Sequence, residues 1–384
     1  MTLAISTKAK VMKAQGLDVV GFGAGEPDFD TPLRIKEAAK KAIDQGYTKY
    51  TPASGMPQLK EAIVKKFNKE NGLSYQLDEI LVGCGAKHVI SEIIFCLVNA
   101  GDEVIIPAPY WVSYPEMVKL CGGVSVFVKS TQEDNFKITA GMLKEKITNK
   151  TKLLILNSPS NPTGAVYSRA ELKALAQVIE EEKIYCISDE IYEKLVYDNA
   201  EHVSIAGFSR GLKDKTIVIN GVSKAYSMTG WRIGYAGGAK QIIKIASSVQ
   251  SHTTSNPTSI SQIAAIEALQ GPQDEVAEMK GEFEKRRGYL VEKIGSIKGL
   301  TCIKPQGAFY SFVDISKLLG KKSNGAEIKG SLSFSEILLN EAKVAVVPGI
   351  AFGDDNFVRL SYAISMETMK KGLDRIEEFV GGLK

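Results

Sequence analysis

Lys224 follows an apolar run, Thr216 to Asn220, that reads as a buried strand; Ser223 precedes it and Arg232 follows on a Gly-Trp-Arg turn. A lysine at a strand's end is partly desolvated, so its amine can lose a proton and attack a carbonyl. A hydroxyl and a planar cation flanking it can hold a phosphate. Gly85-Ala86-Lys87 follows a second such run and opens a helix, whose backbone N–H groups are a further phosphate site. Asp189 closes a third run, and Arg359 lies inside the apolar stretch Phe-Val-Arg-Leu-Ser-Tyr. An arginine there needs an anionic partner. A dinucleotide fingerprint does not fit: counted from Gly83, its third glycine falls on His88, and no acidic ribose partner is evident. The P-loop pattern is absent as well.

These residues need elements to position them. Short apolar runs recur at Glu79–Gly83, Glu103–Pro107, Val124–Val128, Lys152–Asn157, Ile184–Asp189, Thr216–Asn220 and Ile233–Gly237. Amphipathic stretches separate several of them, such as Ala170–Glu182 with Leu172, Leu175, Ala176, Val178 and Ile179 on one face. Alternation of this kind predicts an α/β fold with a mostly parallel seven-stranded sheet. Ligands gather outside the carboxyl ends of such strands, where turn, polar and aromatic residues cluster here. Gly271-Pro272 reads as a boundary before a smaller α+β domain. That domain begins with a helix from Asp274 to Lys293. Strands follow near Thr301–Ile303, Ala308–Val313, Val344–Val347 and Phe357–Ser361, with helices Ser333–Glu341 and Met366–Val380. The division expected is a segment 1–32 packing with the small domain, a large domain 33–272 and a small domain 273–384. Lys321–Gly330 reads as a mobile surface loop.

Composition narrows the classes. The chain has 384 residues, 44% hydrophobic and 24% charged, which is ordinary for a globular protein of two domains. A net charge of +4 with interleaved signs gives no nucleic-acid tail. The five cysteines are scattered without a C-x-x-C, as expected of buried free thiols in a reducing compartment. The histidines His88, His202 and His252 lie far apart, so no metal site is expected. With no signal peptide and no apolar run long enough to span a membrane, a cytoplasmic protein is expected.

A Schiff-base lysine with a phosphate grip is what pyridoxal 5'-phosphate requires. The run Lys-x-x-Ser-Met-x-Gly-x-Arg-Ile-Gly from Lys224 closely resembles the cofactor-lysine signature of the class I aminotransferases, which are fold type I enzymes of that cofactor. The resemblance covers nearly the whole chain, including Gly25-Glu-Pro-Asp-Phe-Asp-Thr-Pro32 and the Pro-Tyr-Trp-x-Ser-Tyr run at Pro109. It implies that Lys224 bears the cofactor, Asp189 pairs with its ring nitrogen and Tyr192 bonds its phenolic oxygen. By the same resemblance Trp111 stacks on the ring, and Asn161 touches both phenolic oxygen and substrate. Gly85, Ala86, Lys87, Ser223 and Arg232 would surround the phosphate. Gly25 would lie beside the substrate α-carboxylate, which Arg359 clamps in bidentate fashion.

The activity implied is transamination, with L-aspartate and 2-oxoglutarate giving oxaloacetate and L-glutamate. An aromatic, prephenate or broad-range specificity is the alternative. Other reactions of the same cofactor, an amino-acid-sensing regulator and a nicotinamide-dependent dehydrogenase are the more distant rivals. The resemblance also implies a homodimer with shared sites, in which Tyr50 reaches the neighbouring subunit's phosphate and Ser255 assists from the partner chain. A subgroup of bacterial aspartate aminotransferases has lysine where Lys87 stands and uses it for the second carboxylate. Relatives begin with an additional N-terminal arm, whereas this chain starts almost at an expected helix Ile5–Gln15, and Thr2 falls near the substrate's distal end.

Overall fold

The computed structural model describes residues 2–384. All seven expected runs form one sheet: β1 Ile80–Gly83, β2 Glu103–Ala108, β3 Val124–Lys129, β4 Thr151–Asn157, β5 Tyr185–Asp189, β6 Thr216–Gly221 and β7 Gly234–Gly237. Their spatial order is β1-β7-β6-β5-β4-β2-β3. β7 is antiparallel to both neighbours, and the other pairs are parallel.

The central strands are apolar on both faces, and the packing explains why. Leu153, Ile155, Ile187, Ile217 and Ile219 face one side, under helices Ala86–Leu97 and Lys240–Thr253. Leu154, Leu156 and Cys186 face the other, under helix Arg169–Glu182. Each such Leu or Ile contributes roughly 1.5–3 kcal/mol by burial. A sheet covered on both faces loses the alternation of a half-wet strand, so its strands read as continuous apolar runs.

Beyond the long helix Asp274–Ser296, a four-stranded sheet is built on Phe357–Ser361, which pairs antiparallel with Tyr310–Asp314. The expected strand Val344–Val347 is split. Val344–Ala345 pairs with Val20–Gly21, whereas Val347–Pro348 pairs with Phe357–Ser361. Val346 is the switch between the two, so one apolar run serves two sheets. Helix Thr2–Ala14 contributes Ile5, Ala9 and Met12 to a cluster with Leu339 and Ala345, which ties the chain's start to this layer. The side chain of Thr2 lies outside the described ones.

Lys321–Gly330 is not a plain loop. Lys322–Ser323 and Ala326–Glu327 form a hairpin across Asn324-Gly325, both with positive φ. Asn-Gly is the residue pair that such a turn favours, and the sequence reading overlooked it. The five cysteines are unpaired, but only Cys186 is fully buried; the other four are half-buried.

Candidate active site

The carboxyl ends of the strands open into a cavity of about 570 Å³. The expected Gly25, Ala86, Lys87, Trp111, Asn161, Asp189, Tyr192, Ser223, Lys224, Arg232 and Arg359 all line it.

Lys224 sits in the turn just past β6. Its Nζ donates to the carbonyl of Gly25 and lies 5.9 Å from the ring centres of both Tyr192 and Phe309. Burial among these groups, reinforced by the positive charge of Arg359, lowers its pKa to about 8. A substantial fraction of the amine is therefore neutral near pH 8, as a nucleophile or proton acceptor requires.

Asp189 closes β5, where Oδ2 accepts from the Tyr114 hydroxyl at 2.6 Å and Oδ1 from the Ile191 amide at 3.2 Å. Burial pushes its carboxyl up to about 6, against the pull of the Tyr114 bond. A cation placed beside it would favour the ionised form. The neighbouring strand end is tied to this one: Asn157 donates to the Asp189 carbonyl at 2.9 Å and accepts from the Asn161 amide at 2.8 Å. That bridge sets Asn161, whose Oδ1 in turn accepts from Nη1 of Arg359 at 2.8 Å.

Arg359 comes from the small sheet, 7% exposed, and packs over the Tyr310 ring at 4.2 Å. Nη2 donates to the Gly23 carbonyl at 3.1 Å, and Nε has no hydrogen-bond partner. Among the described residues no carboxylate pairs with this guanidinium. A buried cation without an anion is costly, and a carboxylate ligand would complete it.

The turn after β1 is shaped for an anion. Gly85, the N-cap of helix Ala86–Leu97, has φ +90°, and a Cβ there would sit 2.2 Å from Nη2 of Arg232. Glycine is favoured by its backbone angle, and a Cβ would also displace the Arg232 guanidinium from its place at the turn. Arg232, also at positive φ, donates to the carbonyls of Thr229 at 2.7 Å and Cys84 at 3.3 Å. Free helix N–H groups, a guanidinium and Ser223 converge here. Lys87 Nζ lies 4.9 Å from the Trp111 ring centre and has no ion-pair partner among the described residues.

Gly25 needs a different account from the one its sequence suggests. A Cβ there would stand 3.5 Å from the Tyr310 hydroxyl, an ordinary contact, so the protein itself does not demand glycine. Tyr50 is 91% exposed, and neither it nor Ser255 reaches the cavity of its own chain. They do occupy loops pinned together, because Gln250 and Gln262 bond both the 51–56 and the 253–258 segments.

Several lining residues were not foreseen. The hydroxyls of Tyr310 and Tyr192 lie 3.0 Å apart, and burial raises the Tyr192 pKa well above its usual value. Glu26 accepts from Thr229 at 2.7 Å at the rim. Tyr114 is the last residue of the Pro-Tyr-Trp-x-Ser-Tyr run, but nothing in its spacing announces Asp189 as its partner. A histidine–carboxylate group also went unforeseen: ligand atoms of Glu190, Glu193 and His202 lie within 4.8 Å of one another. The Lys66 ammonium pairs with Glu193, so a cation already occupies that cluster. Among the described residues no helix is long and apolar enough to cross a membrane.

A sequence model of the family described as Aminotransferase class I and II matches residues 17–376. An aspartate aminotransferase from Bacillus sp. strain YM-2 is 55% identical, covering 99% of this chain and 96% of the relative. An aspartate/prephenate aminotransferase from Cereibacter sphaeroides is 50% identical over 100% and 96% of the two chains. Among solved structures, the aspartate aminotransferase from Rhizobium meliloti superposes with a TM-score of 0.97 at 47% identity, covering 100% of this chain and 96% of that one.

Proposed function

The chain belongs to the class I and II aminotransferases, and from that premise we propose that it is a pyridoxal 5'-phosphate enzyme exchanging amino groups between L-aspartate and 2-oxoglutarate. One observation carries the reading: a half-buried lysine of lowered pKa faces an anion-less buried arginine across one cavity, with a buried aspartate beside them.

The residues present fit the cofactor. Gly85 leaves room where a Cβ would fill the cradle, and Arg232 and the helix amides supply the anion donors. When bound, the cofactor supplies an aldehyde that joins to amines and a ring that accepts the electrons freed at the substrate's α-carbon. Lys224 would be the residue that holds that aldehyde. Its Nζ, with a lowered pKa, would serve as base and then acid for the substrate's α-proton. Asp189 would hold a cationic ring nitrogen, Tyr192 would donate to the phenolic oxygen, and Trp111 would cover the ring. Arg359 and Asn161 orient the substrate's α-carboxylate beside Gly25.

Lys87 is assigned the second carboxylate. It sits in the first turn of a helix whose N-terminus favours anions, and it lines the cavity with no competing acid within pairing distance. The aspartate/prephenate name of the Cereibacter relative favours prephenate, also a dicarboxylate, as an additional acceptor. We read residues 33–272 as the cofactor-binding domain and 273–384, joined by 1–32, as the smaller one. The active unit is proposed to be a cytoplasmic homodimer in which Tyr50 and Ser255 serve the partner's cavity, as their exposure on two pinned loops supports. Mixing Tyr50→Phe and Lys224→Ala chains tests this, because only shared sites would restore activity. The amino-donor test is the ratio of kcat/KM for aspartate to that for alanine and phenylalanine; no preference for acidic substrates would refute the assignment.

A further inference from the structure

His88 and Glu92 lie outside the cavity lining, yet they back its phosphate cradle. His88 Nδ1 accepts the Cys84 amide N–H at 3.2 Å. The carbonyl of the same Cys84 accepts from Arg232, and the next residue is Gly85. The two peptide units that flank Cys84 are therefore each held by a side chain, one of them reaching from behind the cradle. A neutral imidazole whose Nδ1 accepts must carry its proton on Nε2. Nε2 lies 3.2 Å from Oε1 of Glu92, one helical turn on, close enough for a small rotation to make a hydrogen bond. Glu92 is 4% exposed, and neither of its oxygens has a hydrogen-bond partner among the described residues. Leaving a carboxyl buried in this way costs stability unless it serves an arrangement.

We propose that His88 and Glu92 are positioning residues for the cofactor phosphate: Glu92 fixes the imidazole tautomer, and that tautomer holds the Cys84–Gly85 turn in its anion-binding form. The inference rests on the cofactor reading above. It makes the cradle sensitive to acid. Protonation turns Nδ1 from acceptor to donor, so the Cys84 amide loses its partner and the turn loosens.

Burial sets where that happens, amid few titratable neighbours. On its own helix are Glu92 and, beyond it, the Cys96 thiol; from the preceding turn comes Cys84, and from the Gly-Trp-Arg turn Arg232. Helix Lys240–Thr253 presents the neutral Gln250 amide beside Gly83. Burial lowers the His88 pKa, so the cradle stays intact through neutral pH and fails below the usual histidine range. Burial raises Glu92 to about 8, so the pair is largely uncharged at neutral pH.

The test is equilibrium binding of pyridoxal phosphate to the full chain stripped of cofactor, from about pH 5.5 to about pH 8. His88→Leu should weaken binding about tenfold, the effect of one lost hydrogen bond in the cradle. His88→Asn, whose Oδ1 can take the place of Nδ1, should bind within about twofold of the parent and lack its acid limb. Glu92→Leu should weaken binding and Glu92→Gln restore it. A folded His88→Leu chain that binds like the parent would overturn the proposal, as would His88→Asn binding no better than His88→Leu. The cofactor reading fails separately: in that case the parent chain itself would bind no pyridoxal phosphate.

Discussion

Replacing Arg359 by lysine keeps the charge but removes the planar fork. In the structure the fork is already half used: Nη1 is held by Asn161 and Nη2 by the Gly23 carbonyl, which fixes the plane and leaves Nε unpartnered in a buried setting. A lysine ammonium offers three donors around a point charge and cannot match a carboxylate in two parallel bonds. Losing one bond to a charged group costs about 1.5–3 kcal/mol, so kcat/KM for aspartate should fall roughly 10- to 150-fold. Thermal stability should change little, because the buried charge and the Asn161 acceptor keep a partner. The assay couples oxaloacetate formation to its reduction, and circular dichroism follows unfolding. An amine lacking an α-carboxylate, tested for its reaction with the loaded enzyme, supplies the control. The reasoning is refuted if Arg359→Lys keeps kcat/KM within about threefold. It is equally refuted if the carboxylate-free amine loses as much as aspartate does.

Gly85→Ala should weaken cofactor binding and lower the melting temperature, since its Cβ would meet the Arg232 guanidinium at 2.2 Å and its φ is +90°; a normal Kd would contradict the cradle. Lys87→Ala should raise KM strongly for aspartate and 2-oxoglutarate and little for alanine, with a loss of about 1.5–3 kcal/mol for the acidic pair; equal losses would defeat the assignment. Asp189→Ala should cut kcat by orders of magnitude while the cofactor still loads, which absorbance and turnover distinguish; turnover near that of the parent would refute the pairing. Trinitrobenzenesulfonate reacts with neutral amines and does not itself titrate in this range, so its rate of reaction with Lys224 in the cofactor-free chain should rise with pH, reach half its maximum near pH 8 and then level off. Titration in the ordinary lysine range would show that burial does not lower its pKa.

The large sheet was legible because both its faces are covered. Thr151–Asn157, for example, is apolar without interruption from Leu153 to Leu156, and the strand ends differ from those expected by a residue or so. The small layer was less so, because Val344 to Pro348 feeds two sheets and a single apolar run cannot encode that switch. The hairpin at Asn324-Gly325 carried a turn signal that its polar neighbours masked. Within the site, residues that stand in strong local context were readable: Lys224 after a strand, Asp189 at another, Gly85 before a helix. Tyr114, Asn157 and Tyr310 were not, since each acts through a partner distant in sequence, 75 positions away for Tyr114 and Asp189. The same holds for His88, whose bond to Cys84 is local but whose meaning depends on Arg232 arriving from the far side of the chain.

The central claim is that Lys224 carries the cofactor. Incubating the full chain with pyridoxal phosphate, reducing with borohydride and mapping the modified peptide tests it directly. The account predicts a single stoichiometric label on Lys224 that aspartate, added before reduction, prevents. Label on Lys87 or on surface lysines instead, or label that aspartate leaves untouched, would contradict it.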